Sequence, residues 1–145
     1  MNALLLGGDI GGTKTLLALA SVEAAGISIL REQRYASTGH EGLEALLDDF
    51  LAGGPIPAAA CFGVAGPTDG QTADLTYLPW HLSAPNLGQR FGIRHVGLVN
   101  DFAAAAHGLP LVAPAHIVPL QAGQPLARAP RVILGAGTGL GVAGL

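Results

Sequence analysis

The sequence is poor in charged residues, aromatic residues and cysteine, and these shortages exclude several classes of protein. Charged residues make up 12% of the 145 residues and the net charge is -3, so the chain lacks the basic surface of a nucleic-acid-binding protein. The single cysteine, Cys61, cannot form an internal disulfide. It lies in an apolar run, so we expect a buried thiol in a reducing cytoplasm. No apolar run approaches the roughly 20 residues that span a bilayer, and no signal-peptide pattern is present, so we expect no membrane partner.

Glycine, by contrast, is abundant: 22 residues, which cluster at a few places. Apolar segments between the clusters predict three antiparallel strands, and then helix, strand, helix, strand and helix. The strands show little polar alternation, which predicts a mixed α/β sheet with helices on both faces. The predicted strands cover residues 3–8, 15–21, 27–35, 58–64, 95–100, 131–136 and 140–145, and the predicted helices begin near 43, 84 and 101. We expect the proline-rich stretch 111–130 to be a connecting loop with one short strand.

The first glycine cluster lies between the first two predicted strands, in the segment GGDIGGTKT, residues 7–15. Gly11 and Gly12 allow backbone N–H groups to approach a ligand without interference from side chains, as phosphate binding requires. Asp9 suits a hydrated Mg²⁺ ion, and the Thr13 hydroxyl can donate a hydrogen bond to a phosphate oxygen. The spacing is not that of a P-loop, and the simpler alternative is an ordinary glycine hairpin.

A second candidate site is the segment GLVNDFAAAA, residues 97–106, where a predicted strand leads into a predicted helix. Asp101 can accept a proton from a substrate hydroxyl, and the Asn100 amide beside it can orient the substrate. The ends of strands are where α/β sheets place such groups. The alternative is that Asp101 only caps the helix.

A third cluster, GAGTGLG at residues 135–141, places glycine at alternate positions. Alternate residues of a strand share one face, so a flat or charged group could lie against this backbone. Thr138 at its tip can contact a phosphate. The spacing does not match the dinucleotide-binding fingerprint, and a loose glycine-rich hairpin is the alternative.

Taken in order, five segments resemble the motifs of bacterial glucokinases, which are sugar kinases of the actin, hexokinase and heat-shock ATPase superfamily. The segments are GGDIGGTKT, VAGP (64–67), LTYLPW (75–80), LVNDFAAAAHGL (98–109) and GAGTGLGVAGL (135–145). The resemblance covers nearly the whole chain. It implies a ribonuclease-H-like, mixed five-stranded sheet in residues 1–110, and a linker with the first hairpin of a second domain in residues 111–145.

The resemblance also implies ATP-dependent phosphorylation of glucose at its 6-hydroxyl, with ATP and Mg²⁺ as cofactors. By the match, the ATP phosphates would be bound by Gly8, Asp9, Ile10, Gly11, Gly12, Thr13 and Lys14, with Asp9 beside the metal. A second phosphate loop would comprise Gly135, Gly137, Thr138 and Gly139. The sugar would be bound by Gly66, Pro67, Asn100 and Asp101, with Asp101 as the general base.

The chain departs from this family in two respects. The family commonly has Thr-Asn before the tryptophan of the third motif, with the Asn touching sugar, whereas here Thr76 is followed by Tyr77. The family also continues well past Leu145, through a Glu-Gly-Gly-His segment, a later loop that holds adenosine, and a last helix that packs on the first domain. We therefore expect a fragment with little activity alone and with uncovered apolar surface, which favours a homo-oligomer.

Two other functions stay open at this point. A non-catalytic sugar- or nucleotide-binding module, or a relic of the same fold, could retain these motifs, because fold does not fix function. A kinase of the related ROK family could act on another hexose. ROK kinases usually carry Glu-Asn-Asp-Ala at the second site, and Val99-Asn100-Asp101-Phe102 here favours the glucokinase branch.

Overall fold

The computed structural model describes residues 3–24, 26–124, 126–136 and 140–144. The strands are β1 (Ala3–Ile10), β2 (Lys14–Glu23), β3 (Gly26–Ala36), β4 (Ala59–Val64), β5 (Thr72–Asp74), β6 (His81–Ser83), β7 (His95–Asn100), β8 (Val132–Ala136) and β9 (Leu140–Gly144). The helices are α1 (Leu43–Phe50), α2 (Ala84–Phe91) and α3 (Asp101–Gly108). The chain divides into two compact units, one up to Asp101 and one from Phe102 onward.

A five-stranded mixed sheet forms the first unit, with the strand order β3-β2-β1-β4-β7. β1, β2 and β3 are antiparallel neighbours joined by short connections. β4 and β7 run parallel to β1 and follow α1 and α2, respectively, because a parallel strand needs a crossover. The predicted mixed five-stranded α/β sheet is confirmed.

The core lies on one face of this sheet, where alternate residues of adjacent strands fall in register. Leu6 of β1 pairs with Ala60 of β4. The residues of β4 that share a face with Ala60 are Phe62 and Val64, and both are fully buried. Helix α1 packs its leucines on this face, and α2 joins the same apolar cluster through Leu87. One apolar core thus joins the sheet to α1 and α2.

Cys61 lies on the opposite face of β4, between Gly7 of β1 and Gly97 of β7. Its side chain is exposed, and partial burial still raises the pKa of the thiol. The prediction of a buried thiol is wrong, because an apolar run on a strand exposes every second residue when one face carries the core.

A small hairpin of β5 and β6, which the sequence pattern did not predict, follows β4. Each strand has only three residues, too few for an alternation to be visible. The residues between them, 75–80, form a loop closed by a hydrogen bond from Leu75 N to Trp80 O (3.2 Å). The hairpin fixes this loop for the site described below.

The second unit contains most of α3, two short 3-10 turns at Leu109–Leu111 and Pro114–His116, and the β8–β9 hairpin. The strand predicted in the proline-rich stretch is absent from its described residues, because prolines there remove backbone donors and favour turns. Among the residues that the structure describes, no helix has the length and apolar character to cross a membrane.

Candidate active site

Three parallel strands end at one level, and this places most of the predicted site residues together. In the strand register Ile10 of β1 pairs with Val64 of β4, and Val64 pairs with Asn100 of β7. The carboxyl ends of parallel strands are where α/β sheets place their binding groups. The β1–β2 turn, the segment after β4 and the start of α3 therefore meet at one edge of the sheet.

The β1–β2 turn, residues 11–13, is held by hydrogen bonds from two directions. Gly11 N donates to Lys14 O across the turn (3.1 Å). Ser37, which directly follows β3, donates its hydroxyl to Gly11 O (2.8 Å) and its backbone N–H to Thr13 O (2.9 Å). Its hydroxyl also pairs with that of Thr15 (2.9 Å), and both side chains are fully buried. The turn is thus linked by hydrogen bonds to the segment that follows β3.

Three glycines near Asp9, namely Gly8, Gly11 and Gly12, lie where a side chain would be crowded. A Cβ added at Gly8 would lie 2.7 Å from Phe62 Cδ1 in the core. At Gly11 it would lie 3.0 Å from Lys14 O, and at Gly12 it would lie 2.7 Å from the Cβ of Tyr77. Close backbone approach is therefore needed by the protein itself, in addition to any ligand that the turn binds.

Asp9, next to last in β1, is exposed, but its carboxylate is partly desolvated. Partial burial, and then the negative charge of Asp101, raise the pKa of Asp9, while Lys14 opposes them. Carboxylates from the end of β1 and the start of α3 are therefore close enough to repel each other, and a cation or proton between them would relieve the repulsion. Across the described ranges, no group of three or more His, Cys, Asp or Glu side chains is placed to hold a metal by itself.

Asn100 and Asp101 lie at the junction of β7 and α3, as predicted, and both are half-buried. Asn100 Nδ2 donates to Gly66 O (3.4 Å), which ties this junction to the segment after β4. Gly66 is confined there: a Cβ on it would lie 2.8 Å from Asp74 O. Pro67 beside it is exposed. The four residues predicted to bind sugar thus come from the segment after β4 and from the junction of β7 with α3.

The structure also reveals two neighbours of the turn that the sequence analysis missed. Ser37 carried no motif, because its role depends on the β2–β3 pairing that brings it beside Gly11. Tyr77 did carry a signal, since it replaces the Asn of the family motif, but the sequence did not show that it packs on Gly12.

The second predicted phosphate loop lies in the other unit, where β8 and β9 pair with Gly135 opposite Gly141. Gly137, Thr138 and Gly139 fall outside the described residues, so their prediction stays a prediction. A Cβ at either Gly135 or Gly141 would run into the ring of Phe102. The flat group that the alternating glycines admit is thus, in the described part, an aromatic side chain of this chain.

Comparison with known proteins agrees with these observations. The family model for glucokinases matches residues 6–145. The glucokinase of Nostoc punctiforme is 44% identical over 141 residues, which cover 95% of this chain and 41% of that protein. The glucokinase of Synechocystis sp. is 40% identical over 153 residues, covering 97% of this chain and 43% of that protein. The chain therefore spans less than half the length of these curated relatives.

Solved structures show the same fold. A glucokinase from an Antarctic psychrotroph superimposes with a TM-score of 0.86 at 32% identity, over 99% of this chain and 46% of that one. A glucokinase from Balamuthia mandrillaris, solved in complex with glucose, superimposes with a TM-score of 0.69 at 24% identity, over 99% of this chain and 44% of that one. With the family model matching nearly every residue, the chain belongs to the glucokinase family.

Proposed function

We propose that the protein transfers the γ-phosphoryl group of ATP to the 6-hydroxyl of glucose. The observation that carries this proposal is the meeting of Asp9, Gly66, Asn100 and Asp101 at the carboxyl edge of one sheet. Family membership supports the substrates, since relatives matched across this chain are glucokinases. Because the chain covers less than half of the length of those relatives, the activity is proposed for the whole protein and not for these 145 residues alone.

Asp101 is the proposed general base, which accepts the proton of the attacking sugar hydroxyl. It stands at the first residue of α3, half-buried, so its position is set by β7 behind it. Asn100 orients the sugar, and its amide is itself directed by Gly66 O. Gly66 and Pro67 form the adjoining wall. Phosphoryl transfer depends mainly on positioning and charge neutralisation, which a rigid strand edge supplies.

The proposed ATP-binding element is residues 8–14, with exposed Thr13 and Lys14 able to reach the phosphates. Asp9 offers one carboxylate, which suits a Mg²⁺ ion held mainly by phosphate oxygens and water. Such an ion would neutralise phosphate charge and relieve the repulsion between Asp9 and Asp101. The loop 135–139 is the proposed second phosphate element.

Two further expectations remain proposals. A homo-oligomer is favoured by large apolar side chains that are exposed on β3, among them Ile27 and Ile29, and on β8–β9, among them Leu134 and Val142. A cytoplasmic protein is expected from the family's substrates, ATP and a free hexose.

The experiment is Asp101→Asn in the protein as its gene encodes it, assayed for glucose phosphorylation with ATP and Mg²⁺. We expect kcat to fall by about 10²–10⁴-fold, the usual contribution of a general base, with nucleotide binding and thermal unfolding unchanged. The matched control is Asp48→Asn, which removes an exposed carboxylate paired with Arg90 on the helices, outside the proposed site. Retained turnover in Asp101→Asn would contradict the base assignment, and a wild-type protein that phosphorylates no hexose would contradict the function.

A further inference from the structure

Tyr77 combines high exposure with a tight contact to the proposed phosphate-binding turn. The residue is 74% exposed, yet a Cβ built on Gly12 would lie 2.7 Å from Tyr77 Cβ, 3.4 Å from Cγ and 3.5 Å from Cδ2. The space that an ordinary side chain at position 12 would need is therefore filled by the base of Tyr77. An exposed aromatic residue that rests on backbone contributes little to the core, so its contact with the turn calls for another explanation.

The loop that carries Tyr77 is anchored at its far end by Trp80. The indole is 3% exposed, and its Nε1 donates to His40 O (3.1 Å). His40 lies three residues after Ser37, whose hydroxyl donates to Gly11 O (2.8 Å). Residues 37–40 therefore contact the turn at one end and Trp80 at the other. The loop that contains Trp80 contacts the turn again through Tyr77. Three loops of the first unit are thereby held together.

A glycine-rich turn that binds phosphate through converging N–H groups must be held in one conformation, because glycine has the widest conformational freedom. Ser37 fixes the turn from the β3 side through Gly11 and Thr13. We propose that Tyr77 is a positioning residue that fixes the turn through Gly12, by a contact separate from those of Ser37. This inference rests on the proposed function, since it assigns Tyr77 to the binding of ATP phosphates and not to the sugar.

The first test is steady-state kinetics of Tyr77→Ala and Tyr77→Phe in the protein as its gene encodes it. Tyr77→Ala should raise the KM for ATP by about 10-fold, because small displacements of a positioning element are costly. The KM for glucose should change by less than about twofold, because the proposed role of Tyr77 concerns the binding of ATP and not of the sugar. Tyr77→Phe should resemble the wild type, because Phe keeps the Cβ, Cγ and Cδ atoms that face Gly12.

The control variant is Ile56→Ala, which shortens an apolar side chain of similar exposure (64%) outside the site. It should leave both KM values unchanged. Thermal unfolding of Tyr77→Ala should match the wild type, and the sequence has one tryptophan, so fluorescence of Trp80 reports whether the loop stays folded. A purely structural role of Tyr77 would lower stability without separating the two KM values.

A double-mutant cycle tests the contact itself. Gly12→Ala should reduce kcat/KM for ATP strongly, because its Cβ meets Tyr77. In a Tyr77→Gly background that obstacle is gone, so the same Gly12→Ala change should cost at least about 10-fold less. Additive effects would overturn the inference, since they would show that Gly12 is required for the ligand alone.

The outcomes separate this inference from the proposed function. A wild-type protein that neither binds ATP nor phosphorylates a hexose overturns both. An active wild type with an unchanged KM for ATP in Tyr77→Ala overturns the role of Tyr77 and leaves the function standing. A rise in the KM for glucose alone also overturns it, because Tyr77 would then contact the sugar.

Discussion

The β1–β2 turn and the β8–β9 hairpin are both rich in glycine, and in both an aromatic ring or its base lies against a glycine. They differ in what else holds them. The turn accepts two hydrogen bonds from Ser37, and Gly8 before it is confined by Phe62 in the core. In the hairpin, β8 and β9 pair with each other, and their residues alternate between exposed and half-buried. The β1–β2 turn is therefore supported by the core of the first unit, whereas the glycines of the β8–β9 hairpin contact the ring of Phe102.

This difference shows what a glycine cluster does and does not indicate. Close approach of another group to the backbone is common to both regions, and at each crowded glycine described there the group belongs to the protein itself, either a side chain or, at Gly11, the Lys14 carbonyl. A two-stranded sheet has marginal stability by itself, whereas a turn within a five-stranded sheet inherits the stability of its neighbours. We therefore expect substitutions at the two sets of glycines to have effects of different size and reach.

The largest effect is expected for Gly8→Ala. The added Cβ would lie 2.7 Å from Phe62 and 3.0 Å from Leu17, both fully buried, so neither can move without disturbing the core. The free energy of unfolding, measured by urea titration, should fall by about 1–3 kcal/mol, as overpacking costs.

The neighbouring residue of β1 provides the matched control. At Gly7 the nearest atom to an added Cβ is Ala18 O at 4.0 Å, an ordinary contact. Gly7→Ala should therefore keep the wild-type stability or raise it by up to about 1 kcal/mol, through the lower entropy of the unfolded chain. Equal losses at the two positions would show that the crowding around Gly8 has no energetic consequence.

A smaller and more local effect is expected for Gly141→Ala in the hairpin. The new Cβ would displace the Phe102 ring, so amide hydrogen exchange of β8 and β9 should accelerate. Global unfolding should change by less than about 0.5 kcal/mol, because the core of the first unit is untouched. Gly144→Ala, where nothing lies within 4 Å, should leave exchange unchanged. A global loss comparable to that of Gly8→Ala would remove the distinction between the two regions.

The sequence predicted the sheet well because its strands carry strong local signals. Leucine and alanine runs separated by short glycine turns located β1, β2 and β3, and the helical spacing of Leu43, Leu46 and Leu47 located α1. The hairpin of β5 and β6 was missed because three residues carry no visible alternation, and its pairing depends on contacts outside the strands. Cys61 was misjudged because the sequence does not show which face of a strand the helices cover.

For the site, the sequence located the residues at the strand ends but not the residues that brace them. Asp9 and Asn100 directly end or follow apolar runs, so their meeting at one edge follows from parallel pairing alone. Ser37 and Tyr77 contact residues that are far from them in the chain, and the spacing of residues in the sequence does not indicate such contacts. Long-range packing is therefore the part of this site that required the structure.

The smallest effect is expected for Asp9→Asn. This variant tests whether the charge of Asp9 stabilises the fold or is held there for a ligand. Burial and Asp101 raise the pKa of Asp9 above its ordinary 3.8, so the folded chain binds this proton more tightly than the unfolded chain. The free energy of unfolding of the wild type then falls as the pH rises and Asp9 loses its proton. Asp9→Asn removes this loss, because Asn carries no charge. In buffer free of nucleotide and metal, the unfolding midpoint of Asp9→Asn should exceed that of the wild type at pH 7 and equal it at about pH 3.

Asp69 supplies a control of opposite sign within the same unit. Hydrogen bonds from the backbone N–H groups of Thr72 and Gln71 lower the pKa of Asp69, so its charged form stabilises the fold above the ordinary value and that stability is lost as the pH falls. Asp69→Asn should therefore be less stable than the wild type at pH 7, with the difference vanishing in acid. Both effects are small, because water screens exposed carboxylates. Opposite signs would mean that Asp69 serves the fold while Asp9 is held at a cost to it, as expected of a residue placed for a ligand. A loss of stability in both variants would contradict that role for Asp9.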